Sequence, residues 1–436
     1  IECCTLDQNM NHNCKRLTPE ETIDLLTLTK QLIRIPSSVT DGDEVYKYTE
    51  DYLKSNNLPV VRQTIKNPYI TYHNFENLYV KIGNGCGPKI MLNGHLDTVG
   101  VQRPERWKHP PFAAVEEDGR IYGRGAADMK GGMAAAIMAL IAFSKRKPEF
   151  NGEVFLSCVF GEEAPFSLGA DTLLREYSFD DYDLIVVTEP SPILSVNDYC
   201  FTHDKIHETV FPVSIVGAEG RVVLEIEFFG RAAHASHPSR GINALHDAAV
   251  LISELAHFDI FTNIKRGRGH YVVLNIEGGD PTFTVPEYCR VLINRQIMLG
   301  EDVASVIREI EKIVKALRLK SNVQVYKRHS PDPCLEYKPY VYQDSLFIKR
   351  FFETIKNYNS VFDVPENTSS EHSLNCRFTT RSVGDFNLLG TRTKAPTLVF
   401  GPGGGNIHAP DEYVHKQEII ETANYLLSFL MSVYHD

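Results

Sequence analysis

Residues 91–100 read MLNGHLDTVG, an apolar run that ends with an imidazole and a carboxylate one residue apart. The apolar part is typical of a strand buried in the middle of a sheet. Side chains two apart on a strand point the same way, so we expect His95 and Asp97 on one face and Leu96 in the packing. The stretch predicts a central strand that brings two polar groups to one place.

The chain around this strand alternates strands with helices, and a helix start signal precedes residues 19–34. Buried strands are predicted at 77–83, 89–97, 151–163 and 182–191, and a helix over 131–143. Such alternation is the pattern of an α/β fold, with a mixed sheet flanked by helices. In these sheets the working residues gather beyond the carboxyl ends of the strands.

From about residue 214 the pattern changes. The order strand, helix, strand, strand, helix, strand between residues 221 and 328 predicts a small α+β sandwich inserted into the larger domain. We therefore expect one domain of residues 1–213 and 329–436, and an inserted domain of residues 214–328.

Composition excludes several classes of function. The chain has 436 residues, of which 43% are hydrophobic, so two globular domains are expected. The net charge of −11 and the lack of a basic run argue against binding to nucleic acid. No apolar stretch reaches the roughly 20 residues of a membrane span.

Cysteine usage and the N-terminal residues predict a cytoplasmic protein. Nine cysteines occur without any CxxC pair, which argues against a disulfide framework. The first residues lack the pattern of a signal peptide, and the initial Ile suggests a processed or trimmed chain. Cys3, Cys4 and Cys14 leave a metal or disulfide interpretation open.

Acidic residues and histidines collect at the predicted strand ends and in two glycine-rich loops. They are His95, Asp97, Asp128, Glu162, Glu163, Glu189 and His408. Imidazole and carboxylate form the ligand set of zinc or a similar divalent ion. A cluster of acids repels itself, and two metal ions would neutralise it.

Taken singly, these residues have ordinary explanations. Asp128 can cap the helix that follows it, Glu162 and Glu163 can form a solvated turn, and Glu189 can begin a turn with Pro190. Taken together, acids at three successive buried strand ends serve no structural purpose and cost desolvation energy. A metal centre explains them jointly.

Six motifs occur in an order that carries a resemblance to a known family. They are NGHLDTVG, GRGAADMKGG, GEEAPFSLGA, TEPS, GRAAHASHPSRGINA and HAPDEYV. From about residue 20 onward the chain resembles the zinc metallopeptidases related to acetylornithine deacetylase, succinyl-diaminopimelate desuccinylase, acetyl-lysine deacetylase and aminoacylase. The stretch SVGDFNLLG (382–390) looks most like the lysine and ornithine deacetylase branch.

The resemblance implies a cofactor and its ligands. Two Zn²⁺ per subunit are expected, with Co²⁺ or Mn²⁺ as alternatives. His95 and Glu189 would hold one ion, Glu163 and His408 the other, and Asp128 would bridge both. Two metals about 4 Å apart can share a water, lower its pKa and polarise the scissile carbonyl.

The same resemblance assigns three catalytic roles. Asp97 would orient the imidazole of His95, and Glu162 would be the general base. His234 would reach the active site of the partner subunit and stabilise the oxyanion, which predicts an obligate homodimer with domain closure. The inserted domain would then serve as dimerisation or lid domain. A loop histidine is the alternative for His234.

The expected reaction is removal of an acyl group from an N-acyl amino acid. A dipeptidase or carboxypeptidase of the same family is the alternative, and a non-catalytic binding module is the third hypothesis. Arg295, Asn387 and Gly404 are candidate substrate-binding residues. Phe283 stands where many relatives have asparagine, and Gln296 where they have arginine, which bears on recognition of a substrate carboxylate.

Two further motifs are expected to be decoys. HDKIHE (203–208) spaces His203 and His207 as in a helical zinc site but lacks the glutamate next to the first histidine. We interpret it as a loop or lid element. GPGGGN (401–406) lacks the residues of a phosphate loop and is interpreted as a flexible approach to His408.

Overall fold

The structure is a computed structural model that describes residues 15–65, 75–163, 167–194, 211–258, 271–329, 336–342, 345–361 and 378–434. The predictions for Cys3, Cys4, Cys14, His203 and His207 lie outside these residues. The chain forms two compact units. The first is Ile1–Ala218 with Val341–Thr380 and Gly384–Asp436, and the second is Glu219–Tyr340 with Arg381–Val383.

The elements of the described residues follow the predicted alternation. The helices are α1 (Pro19–Arg34), α2 (Glu44–Ser55), α3 (Gly131–Arg146), α4 (Leu168–Glu176), α5 (Ser191–Leu194), α6 (Ala244–Glu254), α7 (Val303–Leu317), α8 (Leu346–Val361), α9 (Asp385–Arg392) and α10 (Lys416–Val433). The strands are β1 (Val60–Ile65), β2 (Phe75–Ile82), β3 (Lys89–His95), β4 (Val115–Glu117), β5 (Arg120–Tyr122), β6 (Glu153–Val159), β7 (Leu184–Val187), β8 (Ile215–Ala218), β9 (Gly220–Phe229), β10 (Tyr271–Gly278), β11 (Tyr288–Ile297), β12 (Asn322–Lys327), β13 (Glu336–Tyr337), β14 (Tyr340–Val341), β15 (Phe378–Thr380), β16 (Thr397–Val399), β17 (Gly404–Gly405) and β18 (Tyr413–His415).

The larger sheet runs in the order β1-β2-β6-β3-β7-β16-β8-β14, and β15 pairs with β8. Strand β3 pairs in parallel with both β6 and β7, whereas β2 pairs with β6 in the antiparallel sense. The central position predicted for the 89–97 strand is therefore confirmed. Because β6, β3 and β7 are parallel neighbours, their carboxyl ends meet at one edge of the sheet.

Helix α3 lies in the core of the first unit. Every residue from Gly131 to Phe143 is buried, as predicted for a helix rich in alanine and glycine. The stretch Ala126–Arg146 is long and apolar enough to cross a membrane, but 94% of its apolar window is buried inside the protein. A Cβ on Gly132 would lie 1.8 Å from the carbonyl oxygen of Thr188, so glycine permits close approach of this helix to the residues after β7.

A small second sheet links two distant parts of the first unit. Its order is β17-β18-β5-β4, and β18 pairs with β5 through Tyr413 and Tyr122. The chain leaves β5 into the turn Ala126–Lys130, and the hairpin between β17 and β18 carries His408. The pairing therefore places Asp128 and His408 near each other although 280 residues separate them in sequence.

The described residues of the second unit form a sheet and two α-helices. The sheet runs β10-β11-β9-β12, all antiparallel, and β13 pairs with β9. Alternate residues of β9 are fully buried with residues of α6 and α7, which is the alternation expected of a sheet covered on one face. This compact unit spans Glu219–Tyr340 with Arg381–Val383. The inserted domain of residues 214–328 and its role in dimerisation stay predictions.

Candidate metal centre

Three parallel strands deliver side chains to one edge of the larger sheet. His95 is the last residue of β3, while Glu162 follows β6 and Glu189 follows β7. The Nε2 atom of His95 lies 3.3 Å from Oε1 of Glu189 and 3.9 Å from Oε2 of Glu162. The imidazole is completely buried. The structure thus brings together residues that the sequence placed at separate strand ends.

Asp128 lies between the two histidines. It belongs to the turn Ala126–Lys130, where the backbone of Asp128 and Met129 is not helical and their peptide bond is cis. Its Oδ1 atom is 3.2 Å from Nε2 of His95, and its Oδ2 atom is 3.4 Å from Nε2 of His408. The two carboxylate oxygens therefore face different imidazoles.

His408 completes the cluster from the β17–β18 hairpin. Its Nε2 atom is 2.9 Å from Oε1 of Glu163, and its side chain is 47% exposed. The neighbouring carboxylates Asp128 and Glu163 raise the pKa of His408 to about 10. This histidine lies at the open side of the site, while His95 forms its buried side.

Among the described residues, two overlapping groups of side chains could each hold a metal ion. One is His95, Glu162 and Glu189, the other is His95, Asp128 and Glu163, and within each the ligand atoms lie within 4.8 Å of one another. Glu162 therefore lies close enough to serve as a ligand as well as a base. His408 extends the second group through its contacts with Asp128 and Glu163.

The buried imidazole of His95 fits a cation. Its Nδ1 atom is 2.9 Å from the carbonyl oxygen of Asp97, which can only accept, so Nδ1 carries a proton. Nε2 is buried and lacks a hydrogen bond of good geometry within the described residues. Burial lowers the pKa of His95, but Asp128 and Glu189 outweigh this and raise it. The site favours positive charge at Nε2, which a divalent cation supplies.

The acids of the site also fit divalent cations. Burial, followed by the charge of Asp128, raises the pKa of Glu189 to about 8. Burial likewise raises the pKa of Glu162 and of Glu163. The negative charge of Glu163 raises the pKa of Glu162 further, and that of Asp128 raises the pKa of Glu163 further. Carboxylates that cannot all ionise together become stable anions when metal ions neutralise them. Imidazole with carboxylate suits zinc and similar ions.

Asp97 ties the loop after β6 to the end of β3. Its Oδ2 atom accepts the backbone N–H of Glu163 at 3.1 Å, and its Oδ1 atom accepts that of Glu162 at 3.4 Å. The closer contact to His95 comes from the carbonyl oxygen of Asp97, because its Oδ1 atom is 3.6 Å from Nδ1. Asp97 therefore holds both the imidazole and the two glutamates in place.

Sequence reasoning missed Glu412. This residue is fully buried and accepts the backbone N–H of Asp128 at 3.1 Å. It lies in the HAPDEYV motif, from which only His408 was selected. The available signal was an acid directly before the Tyr413–His415 strand, whose middle residue is buried, because an unpaired buried carboxylate costs desolvation energy.

His234 lies in the second unit and has an exposed side chain. Its Nδ1 atom accepts the backbone N–H of Ser236 at 3.1 Å, so the neutral ring carries its proton on Nε2. A proton on Nε2 makes this residue a hydrogen-bond donor. The role at the oxyanion stays a prediction.

The structure gives the three substrate-binding candidates other contacts. The guanidinium of Arg295 is 1% exposed and binds both carboxylate oxygens of Glu301 at 3.0 and 3.1 Å. Asn387 is fully buried, and its Oδ1 atom accepts the N–H of Gly384 at 3.1 Å. Gly404 pairs with Val414 in the small sheet. Their contact with substrate stays a prediction.

A model of peptidase family M20/M25/M40 matches residues 91–432 of the chain. The chain belongs to this family. It is therefore a hydrolase of a metallopeptidase family and acts on amide bonds, as the motifs predicted. Hydrolysis of amide bonds includes both deacylation and cleavage of peptides.

Curated relatives and solved structures agree with this membership. The M20 chain is 29% identical over 308 residues to succinyl-diaminopimelate desuccinylase of Paracoccus denitrificans, an alignment that covers 69% of this chain and 74% of the relative. A tripeptidase of Staphylococcus aureus has a TM-score of 0.68 and 20% identity, covering 95% of this chain and 99% of its own. A dinuclear metal-binding M20 peptidase of Bacillus subtilis has a TM-score of 0.66 and 14% identity, and the match covers 96% of this chain and 99% of the peptidase chain. These structures confirm the predicted fold class.

Proposed function

We propose that this M20 hydrolase is a two-zinc deacylase of N-acyl amino acids. One observation carries the proposal, namely that His95, Asp128, Glu163, Glu189 and His408 form one continuous cluster of short contacts. The desuccinylase named among its relatives favours deacylation. The tripeptidase among the solved structures keeps hydrolysis of short peptides as the second candidate.

The ligand assignment follows the two faces of the cluster. His95 and Glu189 would hold one ion, Glu163 and His408 the other, and Asp128, whose two oxygens face the two imidazoles, would be a ligand shared by both. When bound, such ions lower the pKa of a water and polarise the substrate carbonyl.

The remaining polar side chains supply proton transfer and charge stabilisation. Glu162, which lies 3.9 Å from the buried imidazole, would accept the proton of the attacking water and return it to the leaving amine. Asp97 would keep His95 and Glu162 in position through the contacts described above. His234 of the partner subunit would donate its Nε2 proton to the oxyanion.

Removal of metal tests the cofactor. Dialysis of the purified protein against a chelator should remove about two zinc equivalents per chain together with all amidase activity, since the ligands lose their cations. Addition of Zn²⁺ should restore both, as measured by elemental analysis and by release of free amine. Full activity in a protein without bound metal would contradict the proposal.

A substrate panel tests the reaction. The zinc-loaded protein should release amine from N-acetylornithine, N-acetyl-lysine or succinyl-diaminopimelate with a higher kcat/KM than from dipeptides and tripeptides. A preference for the peptides would replace deacylation by the second candidate. A zinc-loaded protein that hydrolyses neither set of substrates would contradict both candidate functions.

We also propose a cytoplasmic homodimer formed through strand β10. This strand is at the edge of its sheet, and Val272, Leu274 and Ile276 are 54%, 53% and 48% exposed. An exposed apolar edge strand is suited to pairing with a second copy. Light scattering should give twice the chain mass of 49.2 kDa.

A charged substitution on β10 tests the homodimer, and the same substitution on β1 is its control. Leu274→Lys should give a monomer with low activity, because His234 would no longer reach a partner. Val61→Lys on β1, where Val61 is 42% exposed, should leave mass and activity unchanged. A fully active Leu274→Lys monomer would remove the role of the partner subunit.

A further inference from the structure

The buried carboxylate of Glu412 lies between two segments that carry proposed metal ligands. Its Oε1 atom accepts the N–H groups of Ala127 and Asp128, both at 3.1 Å. Its Oε2 atom accepts the N–H of Gly125 at 3.1 Å and pairs with Nη1 of Arg124 at 2.5 Å. One side chain therefore accepts three backbone N–H groups of the segment that leads to Asp128.

This turn needs an external partner because its backbone is irregular. Gly125 has φ +77°, and Asp128 and Met129 depart from helical angles, so a regular ladder of helical bonds does not run through this turn. A Cβ on Gly125 would lie 2.4 Å from Cγ2 of Thr98. The Glu412 carboxylate accepts the N–H groups of Gly125, Ala127 and Asp128, whereas those of Ala126 and Lys130 bond to backbone carbonyl oxygens.

The same residue fixes the hairpin of His408. The carbonyl oxygen of Glu412 accepts the N–H of Gly123 at 2.8 Å, which continues the pairing of β18 with β5. Before it, Asn406, His408 and Asp411 have φ values of +55°, +61° and +56°, a conformation unfavourable for residues with side chains. The hairpin keeps this shape because its ends are anchored.

Anchoring continues at the adjacent Asp411. Its carboxylate accepts the N–H of His109 at 2.9 Å and that of Lys108 at 3.3 Å. These bonds hold the hairpin but do not reach the Asp128 turn. Glu412 is thus the residue whose side chain joins the hairpin of His408 to the turn of Asp128.

We propose that Glu412 is a positioning residue that sets the distance between Asp128 and His408 and thereby the affinity of the centre for its second metal ion. The proposal rests on the two-metal function above. Glu412 would act through the backbone N–H groups of the turn, because within the described residues its side chain contacts neither imidazole. Partners of metal ligands commonly change metal affinity by 10–100-fold when they are lost.

Glu412→Ala tests the proposal in the full-length protein. Titration of the metal-free variant with Zn²⁺ should show the second equivalent bound 10–100-fold more weakly than in the parent. The visible absorption spectrum of the Co²⁺-loaded variant should change, because the geometry of the Asp128 and His408 ligands changes. Glu412→Gln retains an Oε1 acceptor for Ala127 and Asp128, and it should restore most of the affinity.

Glu153→Ala provides a matched control for a merely structural loss. Glu153 is also a buried glutamate of the first unit, paired with Lys81 at 2.7 Å and with Tyr182, but it begins β6 at the end remote from the site. Both alanine variants should unfold at a lower temperature. Only Glu412→Ala should alter zinc affinity and the cobalt spectrum.

The outcomes separate this inference from the proposed function. If the parent protein binds two metals and Glu412→Ala binds them with the same affinity and spectrum, the inference is wrong and the proposed function remains. The inference is equally wrong if Glu153→Ala alters metal binding to the same extent. If the parent protein does not bind two metals, the proposed function fails first.

Discussion

Glu162→Gln is expected to lower kcat by about 10²- to 10⁴-fold, because the amide cannot take the proton of the attacking water. Bound zinc should stay at two equivalents per chain, since the five side chains proposed as metal ligands are unchanged. Steady-state kinetics and elemental analysis of the same preparation check both statements. The size of this effect makes it the sharpest single test of the proposed chemistry.

The adjacent residue provides the control for this variant. Glu163→Gln removes a carboxylate that lies 2.9 Å from His408, so it should lose both metal and activity. Glu162 also lies in one of the two groups that could hold a metal. Loss of zinc in Glu162→Gln would therefore show that Glu162 is a ligand rather than the base. A kcat equal to that of the parent protein would exclude both roles for Glu162.

Asp97→Ala is expected to weaken zinc binding by about 10–100-fold and to lower the free energy of unfolding by about 1–3 kcal/mol. The substitution leaves the N–H groups of Glu162 and Glu163 without their acceptor and frees the loop that carries both. Zinc titration and chemical denaturation measure the two effects.

An exposed aspartate offers the comparison. Asp181 pairs with Lys89 on the surface of the same unit, and its side chain is 63% exposed. Asp181→Ala should change the free energy of unfolding by less than about 1 kcal/mol and leave zinc affinity as in the parent protein. Equal zinc affinity in Asp97→Ala and the parent would show that Asp97 does not support the ligands.

Much of the fold and the centre could be predicted from the sequence, because periodicity and strand ends are local signals. The 89–97 strand and the 131–143 helix follow directly from runs of apolar residues. His95, Glu162 and Glu189 follow from the rule that parallel strands end at the same edge. Asp128 and His408 are candidates from their glycine-rich loops, but only the motif resemblance assigns them to one shared ion, since no local pattern joins residues 280 positions apart.

The parts that sequence reasoning missed depend on partners rather than patterns. Alternation gives the face on which Arg295 lies, but only the folded chain pairs it with Glu301 and buries it. Glu412 stands four residues after His408 in the HAPDEYV motif, but its role depends on the irregular turn Ala126–Lys130, which no local pattern connects to it. The backbone carbonyl of Asp97 as the partner of His95 is likewise invisible in a list of side chains.

The crowding of Asp128, Glu162, Glu163 and Glu189 around two imidazoles has a consequence for the life of the protein in a cell. A chain that lacks its cations keeps the mutual repulsion of these acids, whereas metal that binds only the folded form adds about 2.7 kcal/mol at 100 times its Kd. Differences of this size change the fraction of unfolded chain that proteases can reach. The supply of divalent metal is therefore expected to control how much of this hydrolase accumulates, as well as how fast each molecule works.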